Sequence, residues 1–228
     1  MGSLQPCQAV IFDLDGTLAD TVGDLALAIE RTLADFGLPP HPEDVVQGMV
    51  GNGLRKLVDR AFAAHGVTLD EAEHKKAFAR LLVHYSADPF ENSKLYPGVL
   101  ETLEQLNAAG IECALLTNKM EPIAHDVLNG LGIADLFKVV HGEKDGRPRK
   151  PDPASALELM QVLGTEPETT LLVGDSGTDL KTARAAGLRA VMVSYGYSTV
   201  PVATLGPDAV INHLHELVGG LALASEAD

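Results

Sequence analysis

The 228-residue sequence has no tryptophan, and aromatic residues make up only 4% of it. A core for a chain of this length must therefore be built from Leu, Val, Ile and Ala, which the 46% apolar content supplies in amounts far above a disordered composition. There are two cysteines, Cys7 and Cys113, far apart and in no C-x-x-C pair. That argues against a disulfide framework or a thiolate metal site, and points weakly to a reducing compartment. Cys113 lies in an apolar run and reads as a small core residue. Positive charge is scarce: 17 Lys and Arg stand against 32 Asp and Glu, a formal net charge of −15. The densest basic stretch, Arg147-Pro148-Arg149-Lys150, is too short for a phosphate-backbone footprint, so no nucleic-acid partner is expected. No window approaches the roughly 18 continuous apolar residues of a membrane span. No charged segment followed by an apolar run marks a leader. The expectation is a soluble cytoplasmic protein with no membrane partner.

Short apolar runs recur at Ala9-Val10-Ile11-Phe12, Cys113-Ala114-Leu115-Leu116, Leu171-Leu172-Val173 and Ala190-Val191-Met192-Val193, and more weakly at Val139-Val140 and Ala209-Val210-Ile211. Runs of this kind suit strands covered on both faces. Helical patterns separate most of them. One runs from Pro97, read as a first helical residue, to Gly110. A second opens at Asp152-Pro153 and ends at Gly164. A third covers Asp179 to Ala186 and closes at Gly187. Alternating strands and helices predict an α/β fold, a doubly wound parallel sheet. Between residues 20 and 88 the pattern is helical only: Leu25, Ala28, Ile29, Leu33 and Phe36, then Leu54, Leu57, Val58, Ala61 and Phe62, then Leu69 to Tyr85. About 70 residues is too long for a connection. An inserted all-helical cap (20–88) over an α/β core (1–19 and 89–228) is expected.

Ligands of open α/β sheets bind at the carboxyl ends of the strands. The first run ends in Asp13-Leu14-Asp15-Gly16-Thr17, and the third in Gly174-Asp175-Ser176-Gly177-Thr178-Asp179. Thr117-Asn118-Lys119 follows Leu116, and Lys150 precedes a helix. Four carboxylates converging on one edge repel by roughly 4 kcal/mol per close pair at an effective dielectric near 20. Hard oxygen ligands with room for water suit Mg²⁺, and a hydroxyl, an amide and a lysine suit phosphate oxygens. The pattern implies a magnesium site that meets a phosphate. The histidines offer no alternative metal site, because none shows H-x-x-x-H spacing and His213 and His215 diverge on a helix.

Taken in order, Asp13-Leu14-Asp15-Gly16-Thr17, Thr117-Asn118, Lys150-Pro151 and Gly174-Asp175-Ser176-x-x-Asp179 resemble the four motifs of the haloacid dehalogenase-like phosphatases. The resemblance spans nearly the whole chain. Leu115 to Lys119 and Val50-Gly51-Asn52-Gly53 look like the phosphoglycolate phosphatases within that superfamily. The resemblance implies a Rossmann-like core and an Mg²⁺-dependent phosphatase. In that scheme Asp13 is the covalent nucleophile, and Asp15 is the acid and then the base. Asp13, the Asp15 backbone carbonyl and Asp175 hold the metal; Thr117, Asn118 and Lys150 bind the phosphoryl group; Asp179 orients Lys150 or metal-bound water. A carboxylic acid at Asp15 suits an alkoxide leaving group rather than a halide. The expected substrate is a small phosphate ester, 2-phosphoglycolate above others. A sugar phosphate, nucleotide or pyrophosphate, a phosphomutase, and a receiver-like phospho-switch are the alternatives, and the protein is expected to be a monomer or homodimer. In the cap, Gly51, Asn52 and Arg55 are candidates for substrate contact, although Arg55 reads equally as an exposed side chain. Lys56 reads as a solvated partner of Asp59, and Ser176 and Thr178 as caps of the following helix.

Overall fold

The computed structural model describes residues 7–51, 53–87 and 89–220. Six parallel strands form one sheet in the order β5-β4-β1-β6-β7-β8: β1 (Ala9–Phe12), β4 (Glu112–Met120), β5 (Val139–Glu143), β6 (Thr170–Gly174), β7 (Arg189–Val193) and β8 (Ala209–Ile211). All pairings are parallel, with Val10 opposite Cys113 on one side and Leu171 on the other. From β1 the chain reaches β4 and β5 on one side, then returns to build β6, β7 and β8 on the other. That reversal places the crevice of a doubly wound sheet at the ends of β1, β4 and β6.

The apolar runs are unbroken because both sheet faces are covered. Val10, Phe12, Cys113, Leu115, Leu171 and Val173 point into one buried cluster. It holds residues of α5 (Val99–Ala108), α6 (Glu121–Gly130) and α9 (Glu216–Gly220). Ala9, Ile11, Ala114, Leu116 and Leu172 point the other way, onto α7 (Ala154–Leu163) and α8 (Gly177–Ala186). The period-two alternation of a strand divides one sequence run between two cores. Cys7 and Cys113 are free and buried, and burial raises the Cys113 thiol to about 12.

Between β1 and α5 the chain forms α1 (Val22–Asp35), α2 (Glu43–Gln47), α3 (Leu54–Ala63) and α4 (Glu71–Ala87). Leu25, Ile29, Leu33, Leu57, Phe62, Leu81 and Tyr85 are buried among them. Several features differ from the expectation. The short α2 carries a single buried residue, Val46, too little to leave a periodic signal. The chain leaves and re-enters the core through a two-stranded antiparallel pair, β2 (Ala19–Asp20) with β3 (Lys94–Leu95), whose strands are too short to alternate. Pro97 is not the first helical residue. Gly98, at φ +81°, caps α5, and the helix begins at Val99. Helix α8 begins two residues before Asp179, with Ser176 as its N-cap; Thr178 lies inside the helix. No helix among the described residues is long and apolar enough to cross a membrane.

Candidate active site

Asp13 follows β1 directly, and its backbone N–H donates to the Val173 carbonyl of β6 at 2.9 Å. One carboxylate oxygen accepts from the Leu14 amide (2.7 Å) and lies 2.9 Å from Lys150 Nζ. The chain then tightens: the Leu14 carbonyl accepts from the amides of Thr17, Leu18 and Ala19. Gly16, at φ +80°, makes that turn possible. A Cβ there would also stand 2.5 Å from Asp175 Oδ2, so the close approach of the two loops excludes any side chain.

Asp175 ends β6 in the same way. It is buried, and Oδ2 accepts from the Tyr197 amide at 2.6 Å. Gly196 seals it from the other side, since a Cβ there would fall 2.2 Å from the Asp175 Cβ. Four residues on, Asp179 is fully buried in the first turn of α8. One of its oxygens is 2.6 Å from Lys150 Nζ. The other accepts from the Ser176 amide (3.0 Å) and hydroxyl (2.6 Å), a reciprocal cap of the helix.

Oxygens of Asp13, Asp175 and Asp179 lie within 4.8 Å of one another. Lys150 is the one cation paired to this group among the described residues. Burial, only partly offset by Lys150 and reinforced by the neighbouring carboxylates, raises Asp13 to about 7. Burial and the charges of Asp179 and Asp13 raise Asp175 well above its ordinary value. Burial opposes the charge on Lys150, but the two carboxylates outweigh it and hold the ammonium protonated. This is a hard oxygen cluster short of positive charge, and the donor set fits a divalent cation.

Strand β4 brings up the other groups where its register with β5 breaks, between Leu116 and Met120. The Thr117 hydroxyl is buried and accepts from the Lys119 amide at 3.1 Å. Asn118 is turned onto the backbone of Lys150: its Oδ1 accepts from the Lys150 amide (3.0 Å) and its Nδ2 donates to the Lys150 carbonyl (3.1 Å). This two-bond clamp fixes the loop that carries Lys150. Lys119 Nζ, almost fully buried, is 2.7 Å from Asp15 Oδ1, which also accepts from the Thr21 hydroxyl at 2.5 Å.

A cavity of about 430 Å³ lies over these strand ends. Asp13, Asp15, Thr117, Asn118, Lys119, Lys150 and Asp175 form its floor, and Val50, Gly51, Leu54, Leu57 and Arg60 of the helical insert face them. Gly53 seats the insert on the sheet edge, because a Cβ there would lie 3.1 Å from Arg149 Nη1 and 3.5 Å from the Asn118 carbonyl. Arg55 does not line the cavity. It is exposed, its guanidinium stacked 4.1 Å over the Phe78 ring. Arg60 lines it instead, with Nη1 bound to the Met49 (2.6 Å) and Gly51 (3.1 Å) carbonyls. Asn52 lies outside the described residues. Lys56 pairs with Asp59 at 3.2 Å on the surface.

Sequence reasoning missed Lys119, Arg60 and Tyr197. Lys119 carried a readable signal, since it shares the Thr117 face of β4 by strand alternation. Tyr197, in an irregular loop, carried none.

Residues 10–193 match the family model described as haloacid dehalogenase-like hydrolase. The chain is 45% identical over 214 residues to a phosphoglycolate phosphatase of Rhodospirillum rubrum, covering 92% of this chain and 89% of that one. It is 40% identical to the phosphoglycolate phosphatase of Pseudomonas putida, over 93% of this chain and 79% of that one. A solved structure from Haemophilus somnus, described as a predicted phosphoglycolate phosphatase, superposes with a TM-score of 0.89 at 34% identity, covering 95% of this chain and 98% of that one. With a family model spanning most of the chain and relatives this similar along nearly its whole length, the protein belongs to the haloacid dehalogenase-like hydrolases.

Proposed function

We propose that the protein hydrolyses a small phosphate monoester, 2-phosphoglycolate, through an aspartyl-phosphate on Asp13. One observation carries the reading: Asp13 sits among Lys150, Asp175 and Asp179 on the floor of a cavity faced by the helical insert, with a second carboxylate, Asp15, two residues away. The names of the relatives support the choice of ester.

Asp13 and Asp175, with the Asp15 backbone carbonyl, would hold Mg²⁺. When bound, it supplies the positive charge that keeps both carboxylates ionised and draws the phosphoryl oxygens in. Lys150 and the Leu14 amide fix the rotation of the Asp13 carboxylate. An Asp13 oxygen attacks phosphorus as the bond to the ester oxygen breaks, and protonated Asp15 gives its proton to the departing alkoxide. Asp15, now a carboxylate, takes a proton from the water that cleaves the aspartyl-phosphate. Free phosphate leaves, and Asp13 and protonated Asp15 are restored. Lys150 and Thr117 bind the phosphoryl oxygens, where charge stabilisation contributes most. Asn118 acts by holding the Lys150 loop, and Asp179 by orienting the Lys150 ammonium. Residues 20–88 serve as the cap that closes water out of this chemistry.

Phosphate release from a panel of esters, with and without Mg²⁺, tests the assignment. A clear preference for 2-phosphoglycolate, strict dependence on the metal and near-complete loss in Asp13→Asn are expected. Full activity in Asp13→Asn would overturn the covalent route, and equal rates on all esters would overturn the substrate.

A further inference from the structure

Two lysines are buried among the described residues, Lys150 and Lys119. The phosphoryl-transfer scheme uses Lys150 and leaves Lys119 without a part. Yet the Lys119 ammonium lines the cavity beside the acid. It stands 2.7 Å from Asp15 Oδ1 with the Tyr85 ring against it, 5.1 Å from Nζ to the ring centroid. A buried ammonium has three donors, and Asp15 takes one.

The position of Asp15 fixes where that ammonium lies relative to substrate. To protonate the leaving oxygen, Asp15 must come within about 3 Å of it, so Lys119 Nζ lies within about 6 Å of the same oxygen. A carboxylate carried on the ester carbon itself has its oxygens about 3 Å from the ester oxygen, by ordinary bond lengths. Such a carboxylate meets Lys119 while Asp15 keeps its own hydrogen bond. Strand alternation puts Thr117 and Lys119 on the same face of β4, and both line the cavity, so a phosphoryl group on Thr117 leaves the rest of a short ester on the Lys119 side. Lys150, the second lysine of the cavity, is paired to Asp13 and Asp179, and Arg60 already spends one end of its guanidinium on the Met49 and Gly51 carbonyls.

Resting on the phosphatase reading of the site, we infer that Lys119 is the specificity-determining residue, and that it binds a carboxylate attached directly to the ester carbon. The substrate class is then the 2-(phosphonooxy)carboxylates. Esters whose carboxylate is one carbon further out, or absent, are selected against.

The test compares kcat/KM for 2-phosphoglycolate and for ethyl phosphate, which keeps the two-carbon skeleton without the carboxylate. The full chain with Mg²⁺ is assayed as wild type, Lys119→Met, Lys119→Gln and Arg60→Met. Loss of a buried charge partner should lower the phosphoglycolate value by on the order of 100-fold in Lys119→Met. Ethyl phosphate should lose about tenfold, from Asp15 alone, so the preference falls by about tenfold. Calorimetric binding of 2-phosphoglycolate to the non-turning-over Asp13→Asn protein should weaken in parallel when Lys119→Met is added. Circular dichroism confirms folding of each variant. Lys119→Gln, which retains a donor for Asp15, carries the comparison if the methionine variant does not fold. An unchanged preference in the folded Lys119 variants, or a preference lost only in Arg60→Met, overturns the inference. A wild type with no preference for 2-phosphoglycolate instead overturns the substrate reading on which it rests.

Discussion

Asp179→Asn isolates a residue that is fully buried and does not line the cavity, yet holds the site together. The replacement keeps the volume of the side chain, so no cavity forms. What changes is the number of acceptors. Asp179 has two occupied oxygens: one faces Lys150 Nζ at 2.6 Å, and the other takes the Ser176 amide and hydroxyl. Asparagine offers one oxygen. If it faces Lys150, its NH₂ meets the Ser176 amide donor to donor. The serine hydroxyl can rotate to accept, but the backbone N–H cannot.

Losing the reciprocal cap costs about 1 kcal/mol. Removing one anion from a buried ammonium costs up to 3–5 kcal/mol when the ammonium is left alone. Lys150 keeps Asp13 at 2.9 Å, so about 2–3 kcal/mol applies here. The sum is about 3–4 kcal/mol, which for a chain of this size lowers Tm by about 10 °C. With no tryptophan to follow, thermal unfolding is best read by far-ultraviolet circular dichroism. Released from Asp179, Lys150 recentres on Asp13, and kcat should fall further than KM rises. Ser176→Ala, which removes only the hydroxyl, should cost about 1 kcal/mol and leave kcat nearly intact. A drop in Tm below about 3 °C, with unchanged kcat, would refute the claim that Asp179 is what fixes Lys150.

Two further outcomes follow from the same geometry. Burial raises Asp13 to about 7 and Asp175 well above its ordinary value. A carboxyl whose folded pKa exceeds its unfolded one stabilises the fold below the unfolded pKa, and that stability is lost as pH rises through the folded pKa. The metal-free protein should therefore lose stability between about pH 4 and pH 7. Mg²⁺ should raise Tm little at pH 5 and more at pH 8, and an Mg²⁺ effect that shrinks with rising pH would contradict this. Gly196→Ala places a Cβ 2.2 Å from the Asp175 Cβ and 2.5 Å from the Gly16 carbonyl. Overpacking of this kind costs about 1–3 kcal/mol, and the displaced carboxylate should raise the Mg²⁺ concentration needed for half-maximal activity; wild-type Mg²⁺ dependence would show that the loop yields instead.

The strand ends were readable because each buried run stops abruptly at a charged or polar side chain: Phe12 gives way to Asp13, Val173-Gly174 to Asp175, and Leu116 to Thr117. Polarity at the end of a doubly covered strand has few purposes other than a site. The helical insert was readable because apolar residues recur at helical spacing over several turns. What escaped was whatever lacked a period. The β2–β3 pair is two residues per strand, and Tyr197 acts from a loop through its amide on Asp175 and its hydroxyl on Thr21 and Val22. Arg60 was missed, and Arg55 named in its place, because the difference lies in which face of α3 looks into the cavity. Leu54, Leu57 and Arg60 line it, whereas Arg55 turns to Phe78 on α4. Both arginines look alike along the sequence, and only the packing of α3 against α4 separates them.

Asp13 and Asp15, the proposed nucleophile and acid, stand two residues apart in sequence but are anchored to different parts of the molecule. The Asp13 backbone amide and carboxylate are held by the sheet and its loops: by the Val173 carbonyl, the Leu14 amide and Lys150. Asp15 is held by Thr21, the residue that caps α1 at the entrance to the insert, and by Lys119, against which Tyr85 of α4 packs. Tyr197 ties the same entrance back to the loop after β6, its hydroxyl accepting from the Thr21 and Val22 amides and its own amide donating to Asp175. A displacement of the insert therefore acts on Asp15, through Thr21 and Tyr85, and leaves Asp13 where the sheet holds it. In the proposed mechanism the group that meets a variable leaving group is then the one coupled to the element that encloses it. The group that must meet an invariant phosphorus is fixed to the part of the fold with the fewest ways to move.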